Sequence, residues 1–165
     1  MNPRALELIN LLDLEPYPEG GYFGEVFRSS NLVHLPDNQE ERRALTTMYY
    51  LLVAGEYDTW HRLSSDEAWH YYEGATLELF WTEQGAEECT RCLVGEVGGL
   101  SRPVAVVPGG CWQMARTTGE YTLVGCTVGP GFEYEDYRLL RDMPEEASEI
   151  RRRFPELAEF VWQSQ

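Results

Sequence analysis

The sequence predicts an all-β sandwich or barrel with a short helix at each end. Between residues 21 and 134 the apolar residues come in short runs rich in Val, Tyr, Trp, Leu and Thr. These runs are bounded by Gly, Pro, Asp or Ser, as strands joined by turns are. No helical segment of about a dozen residues separates them, and the parallel crossovers of a doubly wound fold require one. Helical spacing recurs only outside this stretch.

Taken in order, Leu6, Ile9 and Leu12 recur at near-helical spacing and Pro3 suits a first turn, which predicts an amphipathic helix over about 3–13. The prolines and glycines of Leu14–Gly21 break it and release the chain into a strand at Tyr22–Arg28. The polar segment Asn31–Arg43 is expected as a mobile surface loop near the barrel mouth, placed to serve as a lid. Further strands are expected at Leu45–Ala54, Glu67–Tyr72, Thr76–Thr82, Thr90–Val94, Val104–Val107, Cys111–Ala115 and Tyr121–Val128. Near the end, Pro144-Glu145-Glu146 reads as an acid-rich first turn, Arg151–Arg153 as a basic last turn and Pro155 as the start of another, so a helical segment is expected over about 144–162. At 165 residues the chain, 1–165, reads as one domain.

Composition narrows the function. The basic residues are all arginine, 13 against 28 acids, for a net charge of −15. Such a field repels nucleic acid and anionic lipid surfaces, and the expected partner is a small molecule. With no lysine, imine chemistry on a side-chain amine is excluded. The first residues carry acids inside their apolar stretch, unlike a signal peptide, and no apolar run approaches the roughly 18 to 20 residues of a membrane span, so a cytoplasmic location is expected. The four cysteines are expected to be reduced thiols.

The strongest motif runs from Gly55 to Gly74. On a strand, His61 and Leu63 share a face; after a turn at Ser64-Ser65-Asp66, Glu67 begins the returning strand. If both strands line an interior, His61 and Glu67 converge. A neighbouring carboxylate then orients the histidine as a general base.

This spacing resembles the first motif of the cupin superfamily, with Gly55, His61, Glu67 and Gly74 in register. Position 63 has leucine where many cupins place a second metal-binding histidine. In the second motif, Pro108-Gly109-Gly110-Cys111-Trp112-Gln113, Gln113 stands in place of the histidine ligand. The segments Pro18–Phe23, Arg28-Ser29, Trp60–Arg62, Ser65–His70, Val107–Gln113 and Val128–Tyr134 resemble the cupin type 5 subfamily across nearly the whole chain. Tyr17 stands where that subfamily has histidine. The resemblance implies a jelly-roll β-barrel, a homodimer and kinship with deoxysugar epimerases.

The catalytic candidates are therefore His61 as base, Glu67 as its orienting carboxylate and Tyr71, on Glu67's face by alternation, as acid. Arg28, Thr47 and Gln113 are candidate donors to substrate, and Tyr49, Trp69 and Phe132 candidate stacking surfaces. This reads as a metal-independent enzyme of the epimerase or isomerase type, without cofactor, acting on a carbohydrate-like or other small polar molecule. Two alternatives stand beside it. One is a metal-dependent dioxygenase or lyase holding a divalent ion on His61, Glu67 and Gln113; the other is a non-catalytic ligand-binding or sensor protein. His70 falls on the opposite sheet face from Glu67 and is expected as a structural or dimer-contact residue. Cys89 and Cys92 form a C-x-x-C pair in a strand-like run, with neither the helix start of a redox centre nor the second pair of a zinc site. His34 is expected as a solvated loop residue.

Overall fold

Helix α1 (Pro3–Leu11) starts at Asn2, whose side-chain oxygen accepts the amide N–H groups of Arg4 at 2.8 Å and Ala5 at 3.3 Å. Those donors have no partner inside the helix, so the cap and the proline in the first turn set its start. In the computed structural model, which describes residues 1–17, 20–35 and 40–161, the chain then runs through strands almost without interruption. They are β1 (Glu15–Pro16), β2 (Tyr22–Arg28), β3 (Leu32–His34), β4 (Glu41–Arg43), β5 (Thr46–Val53), β6 (Tyr57–Arg62) and β7 (Asp66–Gly74). After them come β8 (Leu77–Thr82), β9 (Thr90–Val94), β10 (Val104–Val107), β11 (Trp112–Thr117), β12 (Tyr121–Gly129) and β13 (Arg138–Leu139). Helix α2 (Pro144–Arg153) and a 3-10 turn at Pro155–Val161 follow; position 162 of the expected helical segment lies outside the described residues.

The strands form two antiparallel sheets, in the orders β1-β2-β5-β12-β7-β10 and β13-β6-β11-β8-β9. Consecutive strands β5, β6, β7 and β8 alternate between the sheets, and this crossing is what rolls the chain into a jelly-roll barrel. Alternation along each strand sorts the side chains. Tyr50 and Leu52 of β5 pack between the sheets with Trp69, Leu79 and Val124, whereas Leu51 and Val53 pack outward against Ala5 and Leu8 of α1. On the other sheet Trp60, Phe80, Trp112 and Met114 face outward beneath Ile150, Phe154 and Phe160. Each such fully buried apolar side chain contributes about 1.5–3 kcal/mol. Both terminal helices are thus amphipathic because each covers one outer sheet face.

The segment expected as a mobile loop is different. Residues 36–39 lie outside the described residues, but β3 and β4 pair as a hairpin. Arg42 of β4 makes a two-pronged ion pair with Asp136 at 2.9 and 3.2 Å, which ties the hairpin to the chain beyond β12. A fork-to-fork contact of this kind holds a fixed geometry, so these residues are not a free lid. His34 ends β3, exposed beside Glu41, rather than standing in a loop.

Among the described residues no helix is long and apolar enough to cross a membrane. The four cysteines are free thiols. Cys89 lies just before β9 and Cys92 within it, and burial pushes the Cys89 thiol up to about 11, away from the thiolate that redox or metal chemistry uses.

Candidate functional site

The two motif turns pack against each other and set the strands that enter the site. The Gly110 N–H donates to the Leu63 carbonyl at 2.7 Å, and the Gly109 N–H donates to Asp66 Oδ1 at 2.8 Å. A Cβ at Gly109 would lie 2.4 Å from the Ser64 carbonyl oxygen, so only glycine permits this approach. From these turns His61 leaves on β6, between Gln113 and Leu139, and Glu67 enters on β7, between Val107 and Val128. One residue belongs to each sheet, and both line the same interior cavity of about 110 Å³. That is room for several waters or a small organic ligand.

Strand β6 is not regular. Thr59 and Trp60 both stand opposite the single Met114, a β-bulge that shifts the register by one residue. Consequently Asp58 and His61, which strict alternation would place on opposite faces, both face the cavity. His61 Nδ1 lies 2.9 Å from the Thr59 carbonyl oxygen and 3.5 Å from Asp58 Oδ2. A carbonyl can only accept, so Nδ1 carries the proton and Nε2 of the neutral ring carries the lone pair. Tyr137 packs on the imidazole with ring centres 5.5 Å apart. The carboxylate within ion-pair distance of Nδ1 is that of Asp58, while the hydrogen bond that sets the ring is the one to Thr59. Asp58 itself accepts from the Tyr50 hydroxyl at 3.2 Å.

Glu67 has another partner. Its Oε2 accepts from Gln113 Nε2 at 2.6 Å, and Gln113 Oε1 accepts from the Trp69 indole N–H at 3.2 Å. Burial pushes the Glu67 carboxyl up to about 7, and the charge of Asp58 adds to that push; His61, Gln113 and the Cys126 thiol act the other way. Near neutral pH the group is divided between its acid and its carboxylate.

The other candidates divide as follows. Trp69 and Phe132 line the cavity, and so does Arg28, whose guanidinium is held by Glu25 at 2.8 Å, Glu133 at 3.0 Å and the Phe132 carbonyl at 3.0 Å. Thr47 borders it, yet its hydroxyl is bonded to Thr127 at 2.9 Å across the strand pair. Gln113 is fully buried behind Glu67 and holds that carboxyl instead of facing a ligand. Tyr49 faces outward, edge-on to Tyr72 at 6.0 Å; the inward residues of β5 are Thr46, Met48 and Tyr50. Tyr71 is four residues, roughly 13 Å, along the strand from Glu67. Its hydroxyl donates to the Gly74 carbonyl at 2.7 Å and it packs against the barrel core, apart from the cavity. The residues missed by sequence reading are Asp58, Tyr50 and Tyr137. Asp58 sits three before His61, a spacing that carries no signal unless the bulge is known.

The family described as "Cupin superfamily (DUF985)" matches residues 6–140 of the sequence. The chain belongs to the cupin superfamily. No protein of curated function matches the sequence. Among solved structures this cupin is similar to a hypothetical protein from Leishmania major, at 30% identity and a TM-score of 0.79, with 95% of this chain and 96% of that one covered. A protein from Shewanella oneidensis is similar at 29% identity and a TM-score of 0.78, with 94% and 92% covered. Oxalate decarboxylase from Bacillus subtilis shares the fold at 16% identity and a TM-score of 0.57, with 90% of this cupin aligned to 37% of that chain.

Many cupins hold a metal, and this cupin's donors do not suit one. Leu63 has no donor atom, the Gln113 oxygen already takes the Trp69 N–H, and its amide nitrogen is turned toward Glu67. Among the described residues no three His, Cys, Asp or Glu side chains are grouped to hold a metal ion. His61, Asp58 and Glu67 all line the cavity, but His61 Nδ1 is turned to Thr59 and Glu67 Oε2 to Gln113, so their donor atoms are committed to protein partners.

Proposed function

We propose that this cupin is an acid–base enzyme of the isomerase or epimerase type, acting without a metal on a carbohydrate-like or other small polar molecule. The observation that carries the reading is the pairing of two proton carriers from opposite sheets in one cavity. His61 has its tautomer set by Thr59 and its basic Nε2 left over; Glu67 is held near the midpoint of its titration. Groups whose environments fit them to different protonation states are the usual signature of acid and base roles. In the reaction His61 Nε2 takes a C–H proton next to a substrate carbonyl, forming imidazolium. The electron pair of that bond becomes the C=C bond of an enol as the carbonyl π pair moves to oxygen, where the protonated Glu67 carboxyl donates its proton. Return of a proton from the imidazolium to carbon, with the enol proton taken back by the Glu67 carboxylate, gives the isomer or epimer and restores both groups. Asp58 supports the imidazolium charge, and Trp69 and Phe132 offer ring faces to the substrate.

The test is incubation of the protein in D₂O with a panel of aldoses and ketoses, followed by mass spectrometry and NMR. The expected result is one deuterium at the carbon beside the carbonyl, with appearance of the isomer. Ligand that binds but is recovered without deuterium overturns the enzyme reading in favour of a binding module.

We also propose a homodimer formed through the outer face of the six-stranded sheet. Tyr72, Val104 and Val106 are each about half exposed there, at 50%, 47% and 52%, beyond the area covered by α1. His70, between Val104 and Gly125 in register, belongs to the same face. Sedimentation equilibrium is expected to give twice the chain mass, and Val106→Glu to give the monomer. A wild-type protein that sediments as a monomer overturns this.

A further inference from the structure

The polar wall of the cavity carries three carboxyl groups and the imidazole of His61 beside the hydroxyls of Thr46, Tyr17, Tyr134 and Tyr137. Asp58 and Glu67 are buried carboxyls, and Glu25 stands exposed at the rim. His61, only 6% exposed, directs a proton to Thr59 through Nδ1, and its Nε2 has no hydrogen-bond partner among the described residues. A buried acceptor on a cavity wall is completed by a ligand that donates. Arg28, the guanidinium that borders the cavity, is already shared between two carboxylates and a carbonyl. An entering phosphate or carboxylate would thus meet acids inside and a neutralised cation at the rim. The aromatic side chains of Tyr50, Trp69, Phe132 and Tyr137 also line the cavity, and aromatic rings attract an organic cation.

We propose that the ligand of this cavity is a small polyhydroxy molecule bearing a protonated amine, whose ammonium group lies against the carboxylate wall and whose ring lies against the aromatic faces. The inference rests on the cavity being the substrate site and deepens that reading by naming the substrate class: amine-bearing, and never phosphorylated or carboxylated. The ammonium donates three hydrogen bonds toward the carboxyl groups and a hydroxyl donates to His61 Nε2, so the ligand's donors match the acceptors of this wall. It also compensates buried negative charge, which a neutral sugar of the same shape does not.

The experiment is titration calorimetry of the full chain with four probes of similar ring shape: glucosamine, glucose, N-acetylglucosamine and glucose 6-phosphate. Glucosamine is expected to bind about tenfold more tightly than glucose, and glucose 6-phosphate more weakly than glucose. Glu25→Gln, at an exposed rim position, removes one acid and frees part of Arg28, so it is expected to narrow the glucosamine advantage several-fold. The proposal is overturned if glucosamine does not bind, if it binds no better than N-acetylglucosamine, or if glucose 6-phosphate matches it. Deuterium exchange is read separately. An amine preference without exchange sinks the catalytic reading alone, and exchange into a neutral or phosphorylated sugar without amine preference sinks this inference alone.

Discussion

Glu67→Gln is expected to raise the thermal unfolding midpoint above pH 7 and to leave it almost unchanged below pH 4.5. The native carboxyl titrates at about 7, against an ordinary value of 4.5. The folded state therefore holds a proton more tightly than the unfolded chain. Below 4.5 both states are protonated and the site is at its most favourable. As pH rises toward 7 the unfolded chain releases its proton first, and above 7 the native state must keep a buried charge. The loss across this window is about 3 kcal/mol at 1.36 kcal/mol per pH unit. For a chain of this length that corresponds to roughly 6–12 °C. Glutamine keeps the acceptor that Gln113 Nε2 needs and carries no charge, so it removes the loss while preserving the contact. Scanning calorimetry of both proteins across the window is the measurement. Parallel curves would show that Glu67 is not the titrating group. Asp58→Asn serves as a second readout, because removing that charge is expected to lower the upper edge of the window, set by the native carboxyl, and leave the lower edge in place.

The second large effect is on proton transfer. His61→Ala is expected to lower the rate of deuterium incorporation by about 10²- to 10⁴-fold, the range for loss of a general base. Asp58→Asn is expected to cost less, on the order of tenfold, because the Thr59 carbonyl still holds Nδ1–H and with it the tautomer. What the asparagine lacks is the charge that steadies the imidazolium. Circular dichroism and a binding titration of each variant separate a lost base from a lost fold. Exchange that survives in His61→Ala would assign the base elsewhere in the cavity.

The barrel itself was legible because period-two alternation survives without knowledge of the partner strand. Leu45–Ala54, for example, is close to the observed β5 (Thr46–Val53). The terminal helices were legible from Pro3 and Pro144 and from their apolar spacing. What alternation alone cannot supply is the phase of a strand relative to the interior. That is why Tyr49 was expected inside while Tyr50 occupies the position: shifting by one residue exchanges the two faces. The pairing of β3 with β4 was missed for a related reason, since the ion pair of Arg42 with Asp136 that anchors it joins residues 94 apart in sequence.

His61 and Glu67 were determined by the sequence, through their spacing across a turn between glycines and the strand character on either side. Their roles were decided only in the tertiary structure. The bulge opposite Met114 brings Asp58 to the face of His61, and pairing of β6 with β11 sets Gln113 behind Glu67. A bulge is an agreement between two strands and burial is a property of the whole barrel, so neither is written in one local stretch of residues. The first places Asp58 3.5 Å from His61 Nδ1; the second raises the Glu67 carboxyl to about 7.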